Sequence, residues 1–277
     1  MDLKRAAELM GMNMILPEAL SESISAEFSK EDLLKLQEVP IKESDLLNND
    51  PYLKIDKFGK PSSILKLKDT YILFPMPDKI KAGNKILPLN VFQFIQHFGF
   101  APNQLRKLFF INNSIKREGS LLEAEMWKKW FFNEKSVSDH PIYRSQGPGW
   151  LLIRKSLIPD SGGKNLKDGS WALACDDKVP MLLEVLVGMI GFYFLIKDSK
   201  KKDSEIGVPF YMERDWFARI LSGSMTWTSD QCFLKENSPE ENLTIGLNTP
   251  DSGIDIEKLD SCKSSAVLGI LPVRRLE

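Results

Sequence analysis

The segment from residue 225 to residue 275 constrains the fold of this chain more than any other part of the sequence. It begins Met-Thr-Trp-Thr-Ser-Asp and closes on Gly-Ile-Leu-Pro-Val-Arg-Arg, with short apolar runs typical of strands between these ends. Asp, Asn, Ser and Lys separate the runs between Asn242 and Ser265. A frame of strands that carries polar loops is how binding surfaces are built. The pattern therefore predicts recognition rather than catalysis.

Charge and cysteine content exclude several classes of protein. The 277 residues carry 37 Lys and Arg against 38 Asp and Glu, a net charge of -1, which gives no global attraction to nucleic acid or to an anionic membrane. The 3 cysteines, Cys175, Cys232 and Cys262, are too few and too scattered for a disulfide framework or a zinc site. Their odd number leaves a thiol free, and the first residues lack a secretory signal pattern. We therefore expect a soluble, cytoplasmic protein.

One apolar stretch, Val179–Ile196, has the composition of a membrane span but is interrupted by Pro180 and Glu184. It is shorter than the roughly 20 residues that a span needs, and its carboxylate would be costly in lipid. Pro180 suits the first turn of a helix, and the acids Asp176, Asp177 and Glu184 suit the positive end of its dipole. We therefore predict a buried helix and no membrane association.

Hydrophobic spacing predicts an α+β protein. Residues 1–60 are polar with a helical pattern, and Ser29 followed by Asp32 marks a helix start. Prolines and short apolar runs predict extended pieces across residues 65–89. Apolar side chains that recur at helical spacing predict further helices across residues 91–132. We expect residues 1–146 to form a mainly helical N-terminal region.

Gly147-Pro148-Gly149 marks the boundary to a second region, because glycine and proline together interrupt regular structure. This region, 147–277, opens with a candidate strand at Trp150–Arg154 and continues through a loop at Pro159–Gly169. Further strand candidates are Val208–Tyr211, Thr226–Thr228, Leu243–Leu247, Gly253–Ile256 and Val267–Ile270. We expect a ligand-binding domain of short strands and a helix.

Side chains that commonly do chemistry form no recognisable catalytic constellation. His97 lies among phenylalanines, and His140 precedes a proline without a nucleophile motif beside it. Cys175 is expected to be buried, as free cysteines usually are. An enzyme that uses Cys175, Cys232 or Cys262 for thiol-dependent oxidation or hydrolysis stays open as the first alternative.

Motifs for metals and cofactors are also lacking. Gly162-Gly163-Lys164 has neither the first glycine nor the following Ser or Thr of a phosphate-binding loop. Asp251, Asp255 and Asp260 do not have the spacing of a calcium-binding loop. We therefore predict no catalytic residue, no metal site and no cofactor.

The segment 106–132 mixes basic and aromatic side chains. Arg106 and Lys107, together with Trp127 and Trp130, have the composition of a stacking surface for single-stranded nucleic acid. An amphipathic helix with its tryptophans in the core and its lysines in water explains the same pattern. Acidic residues in the segment weaken any positive field, so nucleic acid is the second alternative and not the favoured partner.

Four short motifs after residue 147 carry a resemblance. They are Gly149-Trp150, Val179-Pro180, Trp227-Thr228-Ser229 and the final Gly269-Ile270-Leu271-Pro272-Val273-Arg274. Their order resembles the C-type-lectin-like fold in its formylglycine-generating-enzyme and Fibrobacter paralogous-domain variants. It is also similar to the variable proteins of diversity-generating retroelements, which use that fold. Because the paired active-site cysteines of the oxidising enzymes have no counterparts, the resemblance implies ligand display without catalysis.

We predict that this region binds a protein or a glycan through its polar loops. Trp227 is the candidate aromatic anchor, and short polar side chains supply adaptable hydrogen bonds when a frame positions them. The candidate loop residues are Asn248, Thr249, Asp251, Asp255, Lys258, Asp260, Ser261 and Lys263. Ordinary solvated hairpin turns are the alternative explanation of the same residues.

Overall fold

A computed structural model provides the fold of this chain. The structure describes residues 1–52, 65–91, 93–94, 145–159, 161–192, 224–232, 241–247 and 254–276. Both helices and sheets are present in these ranges, which confirms an α+β protein. The helices predicted after residue 94 and the strand predicted at 208–211 lie outside the described residues.

Short helices build much of the N-terminal part. They are α1 (Leu3–Met10), α2 (Pro17–Ile24), α3 (Lys30–Lys35), α4 (Glu43–Leu46) and α5 (Leu67–Thr70). At the start of α3, Ser29 Oγ accepts from the Asp32 N–H at 3.1 Å, and Asp32 Oδ2 accepts from the Ser29 N–H at 2.9 Å. This reciprocal cap confirms the predicted helix start, and it satisfies amides that so short a helix leaves without partners.

Three sheets contain the described strands. In chain order these are β1 (Ala26–Glu27), β2 (Tyr71–Met76), β3 (Lys79–Ala82), β4 (Lys85–Pro88), β5 (Gly149–Arg154), β6 (Ser224–Cys232), β7 (Glu241–Leu247), β8 (Ile254–Asp260), β9 (Leu268–Gly269) and β10 (Val273–Leu276). The sheet orders are β1-β3-β4, β10-β5-β2 and β8-β7-β6-β9. In the second, central sheet, β5 pairs antiparallel with both neighbours. Strands from both sides of residue 147 therefore share one sheet.

The central sheet is buried on both faces. Ile72, Phe74 and Met76 of β2 belong to one apolar cluster, while Tyr71 and Leu73 belong to another. Successive strand residues point to opposite faces, so this alternation places one core on each side of the sheet. That placement explains why the strand is apolar throughout instead of alternating with polar residues.

Two further helices lie in the second half of the described chain. Helix α6 spans Leu166–Ser170, and the described part of α7 covers residues 182–192. Apolar side chains of α7 such as Leu182 and Val187 are fully buried, which confirms the predicted buried helix over this range. A Cβ atom at Gly188 would lie 3.1 Å from the Phe74 ring, so glycine permits the close approach of helix and sheet. No helix in the described ranges is long and apolar enough to cross a membrane.

The third sheet carries the polar turns. Strands β6, β7 and β8 pair antiparallel in sequence, and β9 pairs parallel to β6. Leu243 and Ile245 of β7 and Ile256 of β8 are buried in the core on one face. These strands match the apolar runs predicted from the sequence, and β8 ends at Asp260, where the exposed turn begins.

Candidate functional site

The polar turn after β8 is accessible to solvent but held in one conformation. Asp260 Oδ1 accepts from the Cys262 N–H and Asp260 O from the Lys263 N–H, both at 2.9 Å. Ser261 O accepts from the Leu166 N–H at 3.2 Å, which ties the turn to α6. Cys262 and Lys263 are exposed, whereas Asp260 and Ser261 are half-buried. The structure thus brings together three of the predicted binding residues, Asp260, Ser261 and Lys263.

Helix α6, whose first residue contacts this turn, is followed by an exposed aromatic side chain. Its cap is Asn165, whose Oδ1 accepts from the Asp168 N–H at 2.8 Å and whose Nδ2 donates to Asp168 Oδ2 at 2.8 Å. Trp171 follows the helix and is 80% exposed, while the next residues, Ala172 and Leu173, pack partly buried against the core. Aromatic side chains of this size usually bury most of their area. Trp171 is not among the binding residues predicted from the sequence.

Trp227 lies beneath the surface rather than on it. Its side chain is 0% exposed and packs in the same core as Met225 and Ile270. The indole Nε1 donates to Lys164 O at 3.3 Å, so Trp227 supports the loop that leads into α6. In this arrangement Trp227 fixes the frame, and among the described residues of this region Trp171 is the accessible tryptophan.

Of the other predicted loop residues, the structure describes the backbone of two. Asp255 and Lys258 are positions of β8 whose backbones pair with Gly246 and Leu243 of β7. The prediction that these two residues lie in loops is therefore wrong, because they belong to the strand that leads into the turn. The residues that lie outside the described part of the chain are Asn248, Thr249, Asp251, His97, His140 and the segment 106–132.

Two cysteines are exposed, Cys175 and Cys262. The expectation that Cys175 is buried is wrong, because it lies in the surface turn that connects α6 to Lys178. Its nearest polar contact is Asp176 Oδ1, 3.7 Å from the sulfur. Cys232 is the last residue of β6. Among the described residues, no group of three or more His, Cys, Asp or Glu side chains is placed to hold a metal ion.

A buried carboxylate that the sequence analysis assigned to a helix dipole organises a polar network. Asp177 Oδ2 accepts from the hydroxyls of Tyr52 and Tyr71 at 2.8 and 2.9 Å, and Asp177 Oδ1 accepts from Arg274 Nε at 3.0 Å. Burial raises the pKa of both tyrosines, and the charge of Asp177 acts in the same direction. Burial alone would lower the pKa of Arg274, but Asp177 outweighs this and raises it.

The neighbouring arginine pairs with a second buried carboxylate. Arg275 Nε and Nη2 donate to Glu184 Oε1 and Oε2 at 2.6 and 2.9 Å, and the Met181 N–H donates to Oε2 at 2.6 Å. Adjacent residues of a strand point to opposite faces, so Arg274 and Arg275 reach different partners. Two consecutive arginines in a short apolar strand were the signal in the sequence, since each needs an acid when buried.

Comparison with known proteins identifies no relative of this chain. No protein-family model, no curated protein and no solved structure matches this chain. Near the third sheet, the described side chains that face solvent include those of Cys262 and Lys263 in the turn after β8 and that of Trp171. A function for this region therefore has to be inferred from the contacts that these side chains make and from the polar and aromatic groups that they expose.

Proposed function

We propose that this chain is a non-catalytic recognition module that binds a protein or a glycan through the turn after β8 and the loops beside it. The observation that carries the proposal is the fixed geometry of this exposed turn. Asp260 closes it with two hydrogen bonds, and Ser261 O anchors it to α6. A polar surface that is already ordered loses little conformational entropy when a partner binds.

Trp171 supplies the aromatic area that the polar turn lacks. It extends from the end of the short helix α6, whose first residue, Leu166, contacts the turn. Aromatic side chains dominate the energy of many interfaces because they bury a large area at a small entropy cost. A protein or a glycan offers groups for both parts: hydrogen-bonding atoms for the turn and apolar faces for the indole ring.

We extend the proposal to the arrangement of residues 147–277 as a C-type-lectin-like domain. Three of the motifs that suggested it, Gly149-Trp150, Trp227-Thr228-Ser229 and Val273-Arg274, lie on strands. The strands that carry the first and last of these motifs, β5 and β10, pair antiparallel in one sheet. This supports the arrangement, in which a rigid frame displays variable polar loops.

Combined alanine substitutions test the site. The variant D260A/S261A/K263A removes the polar side chains but keeps the Ser261 carbonyl that binds α6. A second variant, Trp171→Ala, removes the exposed ring. The matched control, E31A/K35A, removes an exposed ion pair on α3 in which the side chains are 77% and 65% exposed.

Binding is measured on a glycan array and by capture from lysate with mass-spectrometric identification of the partner. We expect a ligand that the wild type and the control retain and that the two site variants lose, with unchanged circular dichroism. The melting temperature should also stay the same, except for a small fall in D260A/S261A/K263A, which loses the hydrogen bond from the Cys262 N–H to Asp260. A ligand held equally by all four chains would place recognition elsewhere. Turnover of the captured partner would replace this proposal by the thiol-dependent enzyme.

A further inference from the structure

A cleft of about 450 Å³ lies beside the central sheet, between strand β10 and the loop before α4. Its walls combine the apolar side chains of Pro40, Ile41 and Leu276 with the charged side chains of Lys42 and Arg274. This volume is within the range of small-ligand sites. We infer that the cleft binds a small monocarboxylate with an apolar body, whose carboxylate lies between Arg274 and Lys42. This site is separate from the turn after β8.

Arg274 is positioned before any ligand arrives. Its Nε donates to Asp177 at 3.0 Å, and the two side chains are 16% and 0% exposed. Asp177 is itself fixed by the hydroxyls of Tyr52 and Tyr71, at 2.8 and 2.9 Å. A guanidinium ordered in this way gives up little side-chain entropy when it binds a ligand, whereas a solvated arginine has to be ordered first.

The Nη1 and Nη2 atoms of Arg274 keep N–H donors that a ligand can use. Arg274 Nη1 lies 3.8 Å from Asp176 Oδ2, which is beyond hydrogen-bond distance. No described residue accepts a hydrogen bond from Nη2. Two adjacent N–H groups match the two oxygens of a carboxylate, and Lys42, which is exposed in the same cleft, adds a second positive charge.

The charges of the cleft favour a monoanion over a phosphate. Asp45 and Asp176 line it together with Lys42, Arg274 and Met1, and Asp177 lies behind Arg274, so an incoming anion meets carboxylates as well as cationic groups. A dianionic phosphate would meet repulsion from the two carboxylates, whereas a single carboxylate adds one negative charge beside two positive ones. The apolar walls remove an attached hydrocarbon body from water, which a bare inorganic anion cannot exploit.

Titration of the full chain with hexanoate tests the inference. The methyl groups of Ile41 and Leu276 line the cleft and report binding in nuclear magnetic resonance spectra. We expect saturable shifts with a Kd on the order of 1 mM, as for a small fragment, with hexanamide inactive and inorganic phosphate weaker. Absence of saturation by about 20 mM hexanoate overturns the inference, as does equal affinity for hexanamide or phosphate.

Two charge variants test the site without removing a hydrogen bond of the Asp177 network. Lys42→Gln should raise the Kd for hexanoate and Asp176→Asn should lower it, each by roughly two- to fivefold, as expected for exposed charges. The exposed pair on α3 supplies the control, E31Q/K35Q, for which the Kd should not change. Equal Kd values in wild type, Lys42→Gln and Asp176→Asn overturn the assignment of the carboxylate to this cleft.

Discussion

Replacing Arg275 by methionine removes the charged partner of a fully buried carboxylate. The Glu184 side chain is 0% exposed and that of Arg275 is 25% exposed. Arg275 donates two of the hydrogen bonds to this carboxylate, at 2.6 and 2.9 Å. The Met181 N–H at 2.6 Å and Gln146 Nε2 at 3.2 Å stay in place. Methionine retains most of the apolar stem of arginine, so the change isolates the loss of charge and donors.

The expected loss in the free energy of unfolding follows from these contacts. Breaking a buried pair by removing one partner costs about 3–5 kcal/mol, because the other charge stays buried without compensation. Glu184 keeps two donors and Arg275 is partly solvated, so we expect the lower end of that range, about 3 kcal/mol. The double variant E184Q/R275M should recover a large part of the loss, because a neutral amide needs no countercharge.

Urea denaturation of the wild type, R275M and E184Q/R275M, followed by circular dichroism, measures these differences at a common m-value. A loss below about 1 kcal/mol in R275M would mean that the pair contributes no more than a surface ion pair does. A double variant no more stable than R275M would show that the loss does not come from the unpaired charge of Glu184.

Three further predictions concern the core, a half-buried lysine and the thiols. Gly188→Val should lower the free energy of unfolding by about 1–3 kcal/mol in urea denaturation, because its side chain enters space occupied by the Phe74 ring; an unchanged midpoint would contradict the close approach. Burial lowers the pKa of Lys155 from 10.5 to about 8, so the unfolded chain binds one more proton between these values. The free energy of unfolding should therefore rise with pH across that window relative to Lys155→Met, and a fall would refute the sign. Cys175 and Cys262, both exposed, should react with iodoacetamide in the folded chain at rates within about tenfold of each other, measured by peptide mass spectrometry. A much faster thiol would favour the enzyme alternative.

Local sequence patterns predicted where the strands lie in the chain but not which strands pair with each other in a sheet. Tyr71–Phe74 and Trp150–Arg154 are runs of apolar, aromatic and β-branched residues, and both lie in the strands expected of them. Their continuous apolar character reflects a sheet buried on both faces. The pairing of β10 with β5 was not predictable in this way, because register depends on residues more than a hundred positions apart in the chain.

In the sequence around α6, the glycine-rich composition that predicts a loop obscured the capping pair that predicts a helix. Gly162 and Gly163 predicted a loop across Pro159–Gly169, and Gly163 does adopt a positive φ of 78°. Asn165, however, caps a five-residue helix through Asp168, and this pair was present in the sequence as a helix-start pattern. Composition favoured the loop, although the capping pair marked where it ends.

Burial of single side chains was the least predictable property of the site. Trp171 and Trp227 have the same side chain, yet one is 80% exposed and the other 0%. Which ring faces solvent depends on how α6 lies over the third sheet, and no local pattern encodes that. The same applies to Asp177, whose partner Tyr52 is 125 residues away and which sequence spacing assigned to a helix terminus.

Residues 161–178 connect the two proposed sites, and this decides which substitutions can separate them. At one end, Leu166 donates to Ser261 O at 3.2 Å; at the other, Lys178 and Val273 exchange backbone hydrogen bonds at 2.8 and 3.0 Å. A substitution that loosened this segment would weaken both sites and identify neither. The D260A/S261A/K263A variant keeps the carbonyl of residue 261, and Lys42 lies outside the segment. Partner loss in the first variant with unchanged hexanoate binding therefore places recognition in the turn itself, because the connecting segment has to be intact for the cleft to bind.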